Sequence, residues 1–395
     1  MAQHAEILII GAGSSGSAAA YHLAKSGAKD IILLDKKGPG SGATGHAAGL
    51  IRHHYADRPI VEMVRYSVRQ FKHFEEEVGS GIDFVNNGYL YLTAEDETGT
   101  EDLVAMQRSV GADVELLTPS QVQHIYPKGE INVAGIGFGT LDHDGGYADP
   151  YKVAAGYADA AKRMGVRVRF GETVAALKTD GRRVTEVITD KETYTAGVVV
   201  NAAGLGAAAV NASLGIDLPL RNFSLGHAVF MPDQPFEPDL MTINDGSMAD
   251  ALSFCRPESG GTCLIGMDQD DPDRDFNPET YYMDVPFKKM ARFYEKLVWR
   301  LPFLAGFRVT AAFGALDVRT PDWNPGIGFM EGAPENYYQI VGGSGHAFKL
   351  APAIGLTASE DILGMKRTLD LSIFDINRLK AFGRDQFGGT FAIND

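Results

Sequence analysis

Gly11, Gly13 and Gly16 stand in G-x-G-x-x-G spacing directly after the apolar run Ile7-Leu-Ile-Ile10, and Asp35 follows about twenty residues later. Those residue types at that spacing suit a phosphate site. Glycine at 11 permits a sharp turn, at 13 it lets backbone approach a pyrophosphate, and at 16 it lets a helix pack closely on a strand. The helix N-terminus then offers free N–H groups and the positive end of its dipole to an anion. Asp35 is placed to accept ribose hydroxyls, with Ser15 in the first turn and Lys36 beside the acid as further candidate contacts.

Three other stretches could do chemistry. The glycine-rich segment 36–49 is long for a simple connection and small enough to run along a flat ligand. It carries Thr44, His46, Ala47, Ala48 and Gly49, and leads into Leu50, Arg52, His53 and Tyr55. A buried strand at 198–201 runs into Ala203 and Gly204, where backbone can again come close to a cofactor. Near the C-terminus, Gly342-Gly-Ser-Gly-His-Ala-Phe-Lys349 joins a strand at 337–341 to a helix at 350–363. That second helix N-terminus could stabilise negative charge on a reduced ring, with Gly343, Gly345, His346, Phe348 and Lys349 around it. His53 and His346 are of a type that can take a proton near neutral pH.

The elements that must hold these residues follow from apolar periodicity. Strands are expected at 7–10, 31–34, 166–170 and 337–341, with an antiparallel meander through 174–177, 184–189 and Tyr194. Helices are expected from Ser17 to Ala24 and over 59–78, 101–111, 151–164 and 287–298, and an Asn-Gly hairpin over 84–92. Between 218 and 317, short strand runs at 228–231, 252–255 and 263–267 alternate with Pro/Asp loops. The fold class is α/β: a Rossmann-like dinucleotide domain with a second α+β domain on a mostly antiparallel sheet.

Composition narrows the function classes. The 395 residues are 45% hydrophobic and 22% charged, an ordinary globular balance with ample length for two domains. A net charge of −15 opposes nucleic acid and anionic membrane as partners, though a local cationic pocket can still take an anionic substrate. No window approaches the ~20 apolar residues of a membrane span, and no basic-then-apolar leader precedes the first strand, so a cytoplasmic chain is expected. Cys255 and Cys263 are expected as free thiols, and no metal site is expected.

Together these pieces resemble the D-amino-acid-oxidase-like family of FAD-dependent oxidoreductases, in its branch of sarcosine oxidases and dimethylglycine dehydrogenases. The residues that carry the resemblance are Gly11–Gly16 with Asp35, Gly45-His-Ala-Ala-Gly-Leu50, Ile51-Arg-His53, Asp144-Gly-Gly-Tyr-Ala-Asp-Pro150, Val200-Asn-Ala-Ala-Gly204, Thr320-Pro-Asp322 and Gly343-Ser-Gly-His-Ala-Phe-Lys-Leu-Ala-Pro352. The resemblance implies a discontinuous FAD domain at 1–85, 140–218 and 325–395, with Val174 among its cofactor contacts, and a substrate domain at 86–139 and 219–324. Arg52 matches the position whose planar guanidinium clamps the substrate carboxylate. Lys349 matches a lysine that faces substrate and flavin. His46 matches a histidine that in dimethylglycine dehydrogenases bonds covalently to the flavin, although Gly45 stands where those sequences have Trp; a non-covalent histidine near the ring is the other reading.

Two departures are informative. The cysteine that tethers flavin in monomeric sarcosine oxidases, just before Thr-Pro-Asp, is absent from 314–319. The lysine those enzymes hold over the flavin is absent from 262–266, which points to a dehydrogenase with an acceptor other than oxygen.

The implied reaction is oxidation of a secondary or tertiary amino acid. Arg52 and Lys349 hold the carboxylate, aromatic groups such as Tyr55 hold the amine, and His53 or His346 takes its proton. A hydride equivalent passes to flavin and the imine hydrolyses. The alternatives are an FAD-dependent 2-hydroxy-acid dehydrogenase with a histidine base, a flavin-carrying subunit of a heteromeric amine dehydrogenase, and a nicotinamide enzyme. The expected partner is a small carboxylate-bearing substrate; association with a second copy or another subunit is left open.

Overall fold

A computed structural model describes residues 2–95, 97–126, 131–231, 240–248, 253–258, 261–268, 287–383 and 386–387. β1 (Gln3–Ile10) turns through Gly11 into α1 (Ser14–Lys25), and β2 (Ile31–Asp35) returns parallel to β1. Ile7 and Ile9 are buried in one hydrophobic cluster, Leu8 and Ile10 in another. A strand covered on both faces has no polar side, which is why the run 7–10 shows no alternation.

The chain continues through β3 (Leu50–Ile51), α2 (Arg58–Lys72), α3 (Phe74–Val78), β4 (Tyr89–Thr93), α4 (Glu97–Ser109), β5 (Val114–Leu117), α5 (Pro119–Ile125), β6 (Phe138–Asp142) and β7 (Gly146–Tyr147). Then come α6 (Pro150–Arg163), β8 (Arg167–Phe170), β9 (Val174–Thr179), β10 (Val184–Thr189), β11 (Thr193–Asn201) and α7 (Ala207–Ala212). The remainder is β12 (Arg221–Met231), β13 (Thr242–Asp245), β14 (Ser253–Glu258), β15 (Thr262–Asp268), α8 (Phe287–Arg300), β16 (Arg308–Arg319), β17 (Gly326–Phe329), β18 (Tyr337–Val341) and α9 (Ala347–Ile362).

Two eight-stranded sheets result. The first runs β17-β18-β11-β1-β2-β8, with β10 and β9 added antiparallel beside β11. Its central strands are parallel. α1 packs on α6 and α9. Ala18, Ala19 and Ala20 are fully buried there, and a Cβ on Gly355 of α9 would stand 2.7 Å from the Ala18 backbone, so the two helices touch through small residues.

The second sheet runs β16-β12-β15-β14-β13-β4-β6-β5 and is antiparallel except between β13 and β4. Its residues alternate by face. Ala228, Phe230, Ile243, Cys255, Cys263 and Ile265 pack with Phe293 and Leu297 of α8. His227, Asn244, Phe254 and Gly266 take the other face. The α/β class with a mostly antiparallel second sheet is therefore the observed architecture.

Three local expectations change. No hairpin forms over 84–92: β4 lies between β13 and β6, and the Asn86 and Asn87 side-chain amides donate to carbonyls of His143, Gly145 and Leu240. Long-range pairing of an aromatic strand outcompetes a local turn here. The helix expected over 59–78 breaks at His73 into α2 and α3. Cys255 and Cys263 are free and buried on adjacent strands, while Leu252 and Gly260 of that expected hairpin lie outside the described residues. Among the described residues no helix is long and apolar enough to cross a membrane.

Candidate active site

The nucleotide turn is held by close packing. Gly11 has φ +104, and its N–H donates to the Leu34 carbonyl at 2.7 Å. A Cβ there would lie 2.3 Å from the Ala202 carbonyl oxygen, and a Cβ on Gly16 would lie 2.0 Å from that of Gly11. Gly13 is the N-cap of α1 and no side chain caps the helix, so first-turn N–H groups face outward past it, flanked by Ser15. The Ser14 N–H donates to Thr44 Oγ1 at 3.1 Å. The Asp35 carboxylate accepts from the N–H groups of Ala12, Lys37 and Gly38 at 2.9, 2.8 and 2.9 Å. Among the described residues its Oδ2 takes only the Ala12 N–H, which leaves a lone pair for a ribose hydroxyl. Lys36 beside it is exposed. Val174 opens β9, two residues after Glu172, whose N–H donates to the Asp35 carbonyl. Ala203 and Gly204 follow β11, where Ala202 N–H donates to Ile10 beside the glycine turn. These residues fit a dinucleotide: an uncapped helix start, no Cβ between strand and helix, and an anchored acid.

Two motifs far apart in sequence prove to be one structure. Leu50 and Ile51 of β3 pair with Tyr147 and Gly146 of β7. Gly49, at φ +69, would place a Cβ 2.2 Å from the Ala148 carbonyl oxygen, so the pairing requires glycine. Arg52 leaves this two-strand ladder directly into the interior. It is 4% exposed, with its guanidinium 4.6 Å from the Tyr55 ring centroid and 5.6 Å from that of Tyr89.

A cavity of about 240 Å³ lies between the glycine-rich segment and the second sheet. One end is lined by Ser14, Thr44 and His46 through Leu50, another by Gly345, Phe348 and Lys349 around the start of α9. His46 Nδ1 is 3.0 Å from the Gly42 carbonyl oxygen. The sheet wall is a register row across four strands: His227, Gly266, Phe254 and Asn244. A Cβ on Gly266 would meet the Phe254 ring at 1.8 Å, so the glycine makes room for the aromatic. At the two ends of the row, His227 Nδ1 and Asn244 Oδ1 are buried with no hydrogen-bond partner among the described residues. Each such atom costs about 1–3 kcal/mol unless a ligand pairs it. Burial, then Arg256 and His46, pushes His227 down to about 4, so the ring is neutral at pH 7.

The charged groups are unevenly balanced. Arg52, Arg319 and Lys349 line the cavity with one carboxylate, Asp317. Burial pushes the Asp317 carboxyl up, opposed by Arg319, whose Nε is 3.5 Å from Asp317 Oδ2. The Arg319 guanidinium stacks 4.0 Å from the Trp323 ring centroid. Trp323 has φ +60, a conformation that costs about 1–3 kcal/mol and persists only where the surroundings impose it. The Thr320 hydroxyl, bonded to Asp322, Asn324 and Ser344, supplies that constraint.

Lys349 is 4% exposed, its Nζ donating to the Gly345 carbonyl at 2.8 Å and lying 5.7 Å from the Tyr55 ring centroid. Burial, then the Arg52 charge, holds its amine well below the ordinary lysine range. The unfolded chain keeps its proton up to about pH 10.4. Lys349 therefore costs stability most at low pH, and the cost fades as pH rises from the folded value toward the unfolded one. We expect Lys349→Met to melt at a higher temperature than the parent at pH 7, and the two to converge near pH 10. Thermal unfolding across that range checks it, and a constant gap would contradict the lowered proton affinity of the buried amine.

Several expected site residues are not brought to the cavity. His53 sits on Asp142, with Nδ1 at 3.0 Å, and lines a separate groove. His346 and Tyr55 are buried behind Arg52, joined by a 2.8 Å bond from the Tyr55 hydroxyl to His346 Nδ1. Burial, then Lys349 and Arg52, drives the His346 ring well below its usual value, which makes it a poor proton acceptor. Gly343 supports the loop, its Cβ direction closed by Ala347 at 2.9 Å. Sequence reading missed Ser14, His227, Asn244, Phe254, Asp317, Arg319 and Trp323 as cavity residues. The available signal was a polar residue at an inward position of an alternating strand, as His227 is in 225–230.

The chain was compared with known proteins. Residues 6–360 match the FAD dependent oxidoreductase (DAO) family. Rat mitochondrial dimethylglycine dehydrogenase is 31% identical over 218 residues, which are 55% of this chain and 25% of that protein. The 4-methylaminobutanoate oxidase (formaldehyde-forming) of Paenarthrobacter nicotinovorans is 23% identical over 416 residues, 99% of this chain and 49% of that protein. The matches thus span a quarter to a half of the length of these relatives. L-proline dehydrogenase from P. horikoshii is 25% identical with a TM-score of 0.86, covering 96% of this chain and 99% of that one.

Proposed function

Since the chain belongs to the FAD dependent oxidoreductase (DAO) family, we propose that it oxidises a secondary or tertiary amino acid at the carbon next to nitrogen. The observation that carries this reading is the pair Arg52 and Lys349, two buried basic side chains flanking the Tyr55 ring on one cavity. They suit a carboxylate, and the nucleotide turn opens on the same cavity through Ser14 and Thr44.

When bound, FAD supplies the acceptor for the hydride equivalent leaving the substrate C–H. The residues that would hold it are Gly11, Gly13, Ser15, Gly16 and Asp35 at the nucleotide, and Thr44 through Leu50 with Gly345, Phe348 and Lys349 along the ring. The protein's own work is positioning and proton handling. Arg52 fixes the carboxylate through its planar fork. The amine must lose its ammonium proton to free a lone pair. Lys349, whose amine burial and then Arg52 hold well below the ordinary lysine range, takes that proton and then faces the carboxylate as a cation. This replaces His53 and His346 in the role expected from sequence. Among the described residues the row on β12–β15 (Leu225, His227, Asn244, Phe254, Gly266) brings no lysine to the cavity, which supports an acceptor other than oxygen, and the sheet's one cation there is Arg319 of β16, beside Asp317.

Anaerobic addition of sarcosine, dimethylglycine, proline and lactate to the flavin-loaded protein tests the reading. At least one of the three amino acids should bleach the flavin spectrum, lactate should not, and admitted air should restore the colour slowly. Bleaching by lactate alone would overturn it. Acid precipitation of the same protein should leave the yellow colour in the supernatant. A Cβ on Gly45 would lie 2.4 Å from the Gly40 carbonyl oxygen, so this loop has no room for the Trp that accompanies a covalent histidine in the related sequences.

A further inference from the structure

A second groove, of about 600 Å³, lies between α2, the end of α4 and the turn before β7. One wall is a single stripe of α2: Arg58, Glu62, Arg65, Arg69 and Lys72, spaced by four, three, four and three residues. Two of its cations are already matched, Arg58 by Glu62 at 3.7 Å and Lys72 by Asp144. Arg65 and Arg69 are exposed, and their guanidiniums hold no ion pair or hydrogen bond among the described residues. They start one helical turn apart, about 6 Å. In a chain of net charge −15 this groove stays locally positive.

His53 also lines the groove and is 1% exposed. Its backbone N–H and its Nδ1 lie 2.6 and 3.0 Å from Asp142 Oδ2. Among the described residues its buried Nε2 has no hydrogen-bond partner. A ring that gives its Nδ1 proton to a carboxylate presents a bare Nε2 when neutral, so this atom wants a donor. Arg52 and His53 are consecutive, yet one lines the cavity and the other this groove.

Two unmatched guanidiniums and the buried, unpartnered ring of His53 line one groove, and together they suit a ligand with both an oxyanion and a hydroxyl. The groove volume is within the range of sites for small metabolites. We propose that it binds a sugar-phosphate group, with phosphate oxygens on Arg65 and Arg69 and a sugar hydroxyl donating to His53 Nε2. The group can arrive on a free sugar phosphate or on a nucleotide.

Calorimetric titration of the flavin-loaded protein tests this, FAD keeping the nucleotide turn occupied. The probes are ribose 5-phosphate, AMP, ribose and inorganic phosphate at equal ionic strength. Ribose 5-phosphate should bind about tenfold tighter than phosphate, because one hydrogen bond to a buried acceptor is added, and ribose should not bind measurably. AMP binding tighter than ribose 5-phosphate identifies a nucleotide, and equal or weaker AMP binding identifies a free sugar phosphate. R65A/R69A, two exposed changes that leave the core intact, should weaken both phosphates about tenfold or more. H53N should lower ribose 5-phosphate to the level of inorganic phosphate and leave the latter unchanged. Equal binding of ribose 5-phosphate and phosphate to the parent, or parent-like binding by R65A/R69A, overturns the proposal.

Discussion

Gly11→Val should yield a chain that carries no flavin and melts far below the parent. Gly11 sits at φ +104, where a β-branched residue is strained whatever the space around it. Space is also missing: the new Cβ would stand 2.3 Å from the Ala202 oxygen and 2.8 Å from its carbonyl carbon. Neither is the mobile end of a side chain, so β11 would have to leave β1, to which it is paired over Gln3–Ile10. Overpacking and backbone strain together put the cost above about 4 kcal/mol, a large part of a typical domain's stability. The turn also shapes the start of α1, so cofactor should be lost with stability. Flavin-to-protein ratio and melting temperature are the readouts. Gly38→Ala is the control, since nothing lies within 4 Å of its Cβ direction, and it should match the parent. A Gly11→Val protein with full flavin content would refute the packing argument.

Arg52→Met should leave the flavin in place and abolish most amino-acid oxidation. The side chain is buried, and a substrate carboxylate entering the cavity would lose its charged partner. Truncating one side of a buried, hydrogen-bonded charge pair costs about 2–5 kcal/mol, which corresponds to a loss in kcat/KM of roughly three hundredfold near the middle of that range. Arg52→Lys should recover little, because a point charge lacks the two-pronged donor geometry. An amine without a carboxylate discriminates the roles: its slow oxidation should be the same in parent and variant if Arg52 only holds the carboxylate. Stopped-flow flavin reduction measures all three proteins. Equal rates on the carboxylate substrate would remove Arg52 from binding.

Much of the cavity's nucleotide end was legible because its chemistry is local. Gly11, Gly13, Gly16 and Asp35 lie within one βαβ unit, and each is required by a turn, a helix start or a strand end that spacing reveals. The glycines at 45 and 49 were visible as a composition bias, but what they clear was not. Gly49 yields to the Ala148 carbonyl, a hundred residues away in sequence. The pairing of β3 with β7 that aims Arg52 inward is likewise a long-range contact with no local signature.

The histidines show the limit most directly. His53 and His346 both looked able to move a proton, since the type alone permits it. Asp142, from a distant strand, turns His53 to the outer groove, and burial beside Lys349 and Arg52 keeps His346 out of proton transfer. Asp317, Arg319 and Trp323 reach the cavity because β16 pairs with β12 along its length.

The sequence by itself determined the chemistry on offer: a dinucleotide turn, an acid at ribose distance, an arginine and a lysine suited to a carboxylate, and the alternation that makes β12–β15 two-faced. Tertiary structure alone decided which of these groups share a cavity and in what charge state. Side-chain direction follows from local backbone, but burial and neighbouring charge follow from contacts between residues far apart in the chain, and those two terms fix whether Lys349 is a cation or a base.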